Sequence, residues 1–180
     1  MDELALHILD IVENSAAAGA TRIAIEVEEN LARNFLGIRI KDNGRGMNRK
    51  QIRMALDPFY TTKKVRRVGL GLPMLAQAAQ AAGGRMDIVS RRGSGTIVNA
   101  RFVYDHIDRQ PLGNMALTIV NLLAGLGGKV ELVYRHRKRG KVFILDSREL
   151  KKQIPGLSFH DPSVLNLLKK EIDKGLRKIA

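Results

Sequence analysis

Asp10, Asn14 and the run Asp42-Asn43-Gly44-Arg45-Gly46-Met47, followed by Gly69-Leu70-Gly71-Leu72, are the residues of this chain whose types and spacing can do chemistry. A carboxylate at the end of a strand accepts two donors, such as the exocyclic amine of adenine and a bridging water, so Asp42 can read a base. Gly44 and Gly46 remove side chains and let a ring press on the backbone. Glycines 69 and 71 stand just before a helix expected to open near Pro73, where free backbone N–H groups suit phosphate. Magnesium takes few protein oxygens besides those of phosphates, so the amide of Asn14 suffices as a metal ligand. Asp10, one turn earlier, can orient or deprotonate a water aimed at the last phosphate. Each piece has a plainer reading beside it. Asp-Asn-Gly is most often a type I turn, a glycine pair before a helix a tight turn, and Asp10 and Asn14 solvated polar groups of a helix.

Between the two glycine runs lies Asp57-Pro58-Phe59-Tyr60-Thr61-Thr62-Lys63, and then the basic cluster Lys63, Lys64, Arg66 and Arg67. A basic loop directly before a phosphate-type turn reads as a lid over a triphosphate, with Phe59 as its apolar anchor or as an ordinary core aromatic. The candidate nucleotide contacts are Asn14, Asp42, Gly44, Gly46, Met47, Phe59, Thr62, Lys63, Gly69, Leu70, Gly71, Leu72 and Thr96. Asp10 is the candidate catalytic group. His7, one turn before Asp10, reads as a helix residue without a chemical role rather than a phosphoacceptor, because a pocket in its own domain could hardly reach it. His106, His136 and His160 have no companions at metal-ligand spacing.

These residues need a scaffold. Residues 2–18 read as a helix with Leu4, Ile8, Ile11, Val12 and Ser15 on one stripe and Asp10 and Asn14 on another, closed by Gly19. Thr21 to Glu28 and Phe35 to Ile40 alternate apolar and polar residues, the period of half-buried strands. A short helix over Asn48 to Leu56, a helix over Leu70 to Ala82, and strands over 85–90 and 96–104 follow. This order implies an α+β sandwich with its helices on one face of the sheet. Pro111 and Gly113 mark a joint, and we place a boundary at 107/108. Beyond it come a helix near Asn114 to Ala124, strands at 130–134 and 142–145, a short helix after Asp146-Ser147 and an amphipathic helix from Ser163, a small α/β extension of unassigned role. The run from Arg135 to Lys141 reads as a hairpin tip.

The 180 residues, 44% hydrophobic, suffice for a packed core, and the absence of cysteine excludes disulfides and thiolate metal sites. The acidic start, with Asp2 and Glu3, is unlike a secretory signal, and the stretch from Met115 to Gly128 is too short to span a bilayer, so a soluble cytoplasmic protein is expected. A net charge of +13 suits polyanionic ligands or nucleic acid. The scarcity of aromatics, 4% with no tryptophan, argues against base stacking.

Together the motifs resemble the GHKL superfamily, named for gyrase, the heat-shock chaperone, histidine kinases and the mismatch-repair ATPase. Asn14 matches the N box, Asp42-x-Gly44-x-Gly46 the G1 box, Phe59 the F box, Gly69-x-Gly71 the G2 box, and Gly93-Ser94-Gly95-Thr96 the last, glycine-threonine box. The resemblance implies the Bergerat fold over residues 1–107, ATP and Mg²⁺ as cofactors, Asp42 on adenine with Thr96 in support, Asn14 on Mg²⁺, and the 69–71 backbone on phosphates. The Val12-Glu13-Asn14-Ser15 start looks like mismatch-repair ATPases. Pro58-Phe59-Tyr60-Thr61-Thr62-Lys63 looks like sensor histidine kinases, and its Thr-Thr-Lys also occurs in anti-sigma serine kinases. Where two of these branches carry a catalytic glutamate, this chain has Asp10, whose reach is shorter by one bond, ~1.5 Å. The roles implied are a stand-alone kinase acting on a partner protein, or an ATP-driven switch read by a partner. The alternative is a nucleic-acid-associated ATPase of the mismatch-repair kind. Short stand-alone members with an extension of this look are encoded beside iron-hydrogenase subunits, which adds a slow nucleotide-binding subunit of a larger complex. No membrane partner is expected, and a dimer is compatible with all of these.

Overall fold

A computed structural model of the chain describes residues 3–57 and 71–180. Apolar residues at every second position make β1 (Arg22–Asn30), β2 (Phe35–Asp42) and β4 (Thr96–Val103) strands with one buried face: Ile23, Ile25 and Val27, then Leu36, Ile38 and Ile40, then Val98, Ala100 and Phe102. With β3 (Arg85–Ser90), β5 (Glu131–Lys138) and β6 (Lys141–Asp146) they form one sheet of order β3-β4-β2-β1-β5-β6. Every pairing is antiparallel except β1 with β5, which runs parallel over eight residue pairs from Arg22↔Glu131 to Glu29↔Lys138.

The buried face is covered by α1 (Leu4–Ala17), α3 (Gly71–Ala81), α4 (Met115–Leu126) and α6 (Pro162–Ile179), which pool their apolar stripes with the strands in one core. The opposite face presents Glu26, Arg39, Arg101, Arg135 and Arg137 to solvent. This is the expected α+β sandwich with helices on one side. Two shorter helices, α2 (Arg49–Ala55) and α5 (Ser147–Gln153), begin at side-chain caps: Asn48 in a capping box with Gln51, and Asp146 accepting from the Arg148 N–H.

The segment beyond residue 108 shares the sheet and the core of the first part. Its strand β5 hydrogen-bonds to β1, α4 lies beside α1, and Leu132 and Tyr134 are fully buried in the common cluster. The sequence pattern also shortened β5. The basic run from Arg135 to Lys138 is strand, not tip, because the ladders to β1 and β6 hold it extended. The tip is only Arg139 and Gly140, both with left-handed backbone (φ 49° and 76°), the geometry of a two-residue I′ hairpin. Alternation therefore splits the run. Arg135 and Arg137 face solvent, whereas His136 and Lys138 turn inward onto Glu29.

Candidate functional site

Asp42 is the last residue of β2, and the strand's alternation carries it onto the buried face behind Ile38 and Ile40. A carboxylate 8% exposed needs partners. One oxygen accepts from the Ser15 hydroxyl at 2.8 Å. The other accepts from the backbone N–H of Gly44 at 2.8 Å and of Thr96 at 3.2 Å. Four segments thus fix one carboxylate: α1, β2, the turn after β2, and the start of β4.

The turns around it interlock through backbone. Gly46 and Gly95 have φ of 63° and 78°, and a Cβ on either would collide with a carbonyl, that of Arg91 for Gly46 and that of Asp42 for Gly95. Gly93 donates its N–H to the Arg45 carbonyl at 2.8 Å. Ser90 knots the two turns: its oxygen accepts from the Met47 N–H at 2.8 Å, bonds the Gly95 carbonyl at 2.8 Å and lies 2.9 Å from the Thr96 hydroxyl. The space freed at Gly46 is therefore filled by the 91–96 turn, while Gly44 lets the backbone close on Ala18, whose carbonyl accepts from the Arg45 N–H at 3.1 Å.

Helix α1 carries the rest. Ser15 touches Asp42, and Asn14 and Asp10 are half-buried on the neighbouring face. The Asp10 carboxylate sits where a side chain on Gly71 would be, so it abuts the first residue of α3. Asp10 and Ser15 are five residues apart, about 7.5 Å along the helix axis. One helix therefore joins the Asp42 carboxylate to the amino end of α3, the end of a helix that favours negative charge. Leu72, half-buried, packs against the core beneath this end. The structure brings Asp10, Asn14, Asp42, Gly44, Gly46, Met47, Gly71, Leu72 and Thr96 to one end of the sheet. Phe59, Thr62, Lys63, Gly69 and Leu70 lie outside the described residues, as do Lys64, Arg66 and Arg67.

Among the described residues no group of three or more His, Asp or Glu is placed to hold a metal ion.

Two residues of the site were missed by sequence reasoning. Ser15 falls on the apolar stripe of α1, and the signal for its role is that a hydroxyl among Leu4, Ile8, Ile11 and Val12 needs a partner. Ser90 left no signal, since its importance lies in turns that only meet in the fold.

The histidines divide. His7 is fully buried, with Nε2 3.0 Å from the Gln110 amide oxygen and Nδ1 without a partner. Burial lowers its pKa, so it stays neutral, and its bond to Gln110 turns it toward the segment between β4 and α4. His136, unassigned from sequence, lies between the Tyr134 hydroxyl (2.7 Å) and Glu29 (2.8 Å), and Glu29 also takes Lys138 and the Tyr104 hydroxyl, each at 3.0 Å. Burial alone would raise the Glu29 pKa, but the hydrogen bonds from His136 and Lys138 hold it down to about 2. Burial also raises the Tyr134 pKa, so that phenol remains protonated. Glu29 is six residues along β1 from Ile23, the partner of Asp42, or about 20 Å away.

Comparison with known proteins gives this arrangement its relatives. Residues 2–106 match the family model for the histidine kinase-, DNA gyrase B- and HSP90-like ATPases. The chain is 28% identical over 102 residues to a putative NtrY-like sensor histidine kinase of Rickettsia bellii, covering 57% of this chain and 16% of that protein. It is 31% identical over 103 residues to the tetrathionate sensor histidine kinase TtrS of Salmonella typhimurium, covering 55% of this chain and 17% of the other. It is 43% identical over 54 residues to the DNA mismatch repair protein MutL of Thermotoga maritima, covering 30% of this chain and 10% of that one. The chain thus spans a small fraction of the length of these relatives. In structure it resembles the N-terminal domain of a DNA repair protein, with a TM-score of 0.58 and 15% identity over 82% of this chain and 53% of the other. That share exceeds the 105 of 180 residues in the family match, so the likeness of fold continues beyond residue 106. The chain belongs to the histidine kinase-, gyrase B- and HSP90-like ATPase family.

Proposed function

We propose that this member of the ATPase family binds Mg-ATP at the end of the sheet marked by Asp42 and uses it to modify or switch a partner protein. The observation that carries the reading is the Asp42 carboxylate, buried and held in one orientation by Ser15, Gly44 and Thr96. Such a group accepts from the exocyclic amine of adenine, directly or through water. Asn14 would hold the metal, whose part is to neutralise charge on the phosphates. Asp10, beside the amino end of α3, holds or takes the proton of the hydroxyl or water aimed at the terminal phosphate. Phe59, Thr62, Lys63, Gly69 and Leu70 complete the lid and the phosphate turn in this reading.

Phosphoryl transfer to a partner and a nucleotide-ordered switch share this apparatus. Incubation with γ-labelled ATP, alone and with cell lysate, separates them. Label on one lysate protein marks a kinase, and free phosphate alone marks an ATPase. Nucleotide binding with neither product marks a switch, and failure to bind nucleotide ends the proposal. A nucleic-acid-associated role has one observation in its favour, the identity of 43% over 54 residues and 45% over 56 residues to two mismatch-repair MutL proteins. Release of phosphate stimulated by DNA would select it.

A further inference from the structure

A second basin lies behind the base-reading loop. Asp42 turns into the core, and the next residue, Asn43, turns the other way: its amide oxygen accepts from the Thr21 and Arg22 N–H groups at 2.9 Å each, and its amide nitrogen donates to the Thr21 hydroxyl at 2.9 Å. On this reverse side the start of β1, the turn after α4 and helix α5 border an open hollow of about 420 Å³. Arg22, Lys129, Arg148 and Lys151 line it with a single carboxylate, Glu131. Glu131 pairs loosely with Arg22 at 3.9 Å, and both are substantially exposed. Lys151 is tied down, donating to the Gly128 carbonyl at 2.7 Å with its ammonium 5.6 Å from the centre of the Phe159 ring. Arg148 has only a 3.8 Å contact with its neighbour Glu149. Lys129 has no side-chain partner among the described residues.

We propose that this hollow binds a small, multiply charged phosphate ligand, at a site distinct from the nucleotide pocket. Four cations line the hollow, and Glu131 beside Arg22 and Glu149 beside Arg148 offset two of them, so two positive charges stand in excess, an arrangement that an anion relieves. The volume falls within the range of small-molecule pockets. The described lining carries no aromatic ring, so recognition rests on charge and hydrogen bonds, which suits a phosphate or pyrophosphate group better than a base. Two of its walls, the α4–β5 turn and α5, come from the segment beyond residue 108. The third contains Asn43, neighbour of Asp42, and this places the ligand one residue from the loop that would hold adenine.

Inorganic pyrophosphate titrated calorimetrically into the full chain at low ionic strength, without nucleotide, tests the proposal whether or not ATP binds. Saturable heat is expected, with affinity falling at least tenfold in Lys129→Ala/Arg148→Ala. The double variant Lys170→Ala/Lys174→Ala removes the same charge from the exposed side of α6 and is expected to bind as the wild type does. Thermal melting confirms that both variants fold. Absence of saturable heat, unchanged affinity in the first variant, or equal losses in the two variants would each overturn the site, the last by showing diffuse attraction to a basic protein.

Discussion

At the scale of single residues, the candidate site is a problem of holding a buried carboxylate in one orientation. Asp42 does this with three donors, so its substitution should be severe and its partner's milder. Asp42→Asn presents an amide to donors that need an acceptor and should weaken nucleotide binding by about 2–4 kcal/mol, some 30-fold to 1000-fold, in a fluorescent-nucleotide titration. Ser15→Ala removes one donor and should weaken binding by about 1 kcal/mol, with the fold intact. Asp10→Asn keeps the shape beside Gly71 but removes the base. Nucleotide affinity should hold while phosphate release or protein labelling falls by ~10²-fold or more. Equal losses of binding in the Asp10 and Asp42 variants would show that the two carboxylates do not divide the work as proposed.

At the scale of elements, the parallel seam between β1 and β5 ends in a buried polar cluster whose energetics depend on pH. The Glu29 pKa lies near 2 in the fold, below the ordinary glutamate value. A carboxylate with a depressed folded pKa binds fewer protons folded than unfolded. Its stabilisation is therefore complete above about pH 4.5 and drains away as pH falls toward 2. Urea denaturation of the wild type and Glu29→Gln should show a gap on the order of 2–3 kcal/mol near neutral pH, narrowing steadily below pH 4.5. A gap independent of pH would mean that Glu29 acts by packing alone. Helix α6 depends on another close approach. Gly175 lies so near the Phe143 ring that a Cβ would overlap it, so Gly175→Val should cost about 1–3 kcal/mol through displaced packing between α6 and β6.

At the scale of the whole molecule, the six strands and the helices on them form one core that crosses the joint near residue 108. Removing the part beyond it would turn β1 into a sheet edge and uncover α1 where α4 lies against it. The full chain should therefore unfold in one cooperative transition, and a fragment of residues 1–108 should fail to melt cooperatively by circular dichroism. A fragment as stable as the full chain would show that the first part folds by itself. Among the described residues no helix is long and apolar enough to cross a membrane.

What the sequence determined by itself was local. Alternating residues such as Ile23, Ile25 and Val27, the polar residues Asn48 and Asp146 at helix starts, and the glycines after Asp42 each dictate their structure within a few residues, so the strands, helices and the turn after Asp42 were legible. The tertiary structure alone decided who meets whom. Parallel pairing of β1 with β5 joins residues more than a hundred positions apart and carries no local signature. Ser15 and Ser90 acquire their roles only when α1 and the 91–96 turn arrive beside Asp42. The basic run at 135–141 could be divided into solvent-facing arginines and an inward His136 only once its ladder register was fixed. A one-residue slip of register would have exchanged those faces.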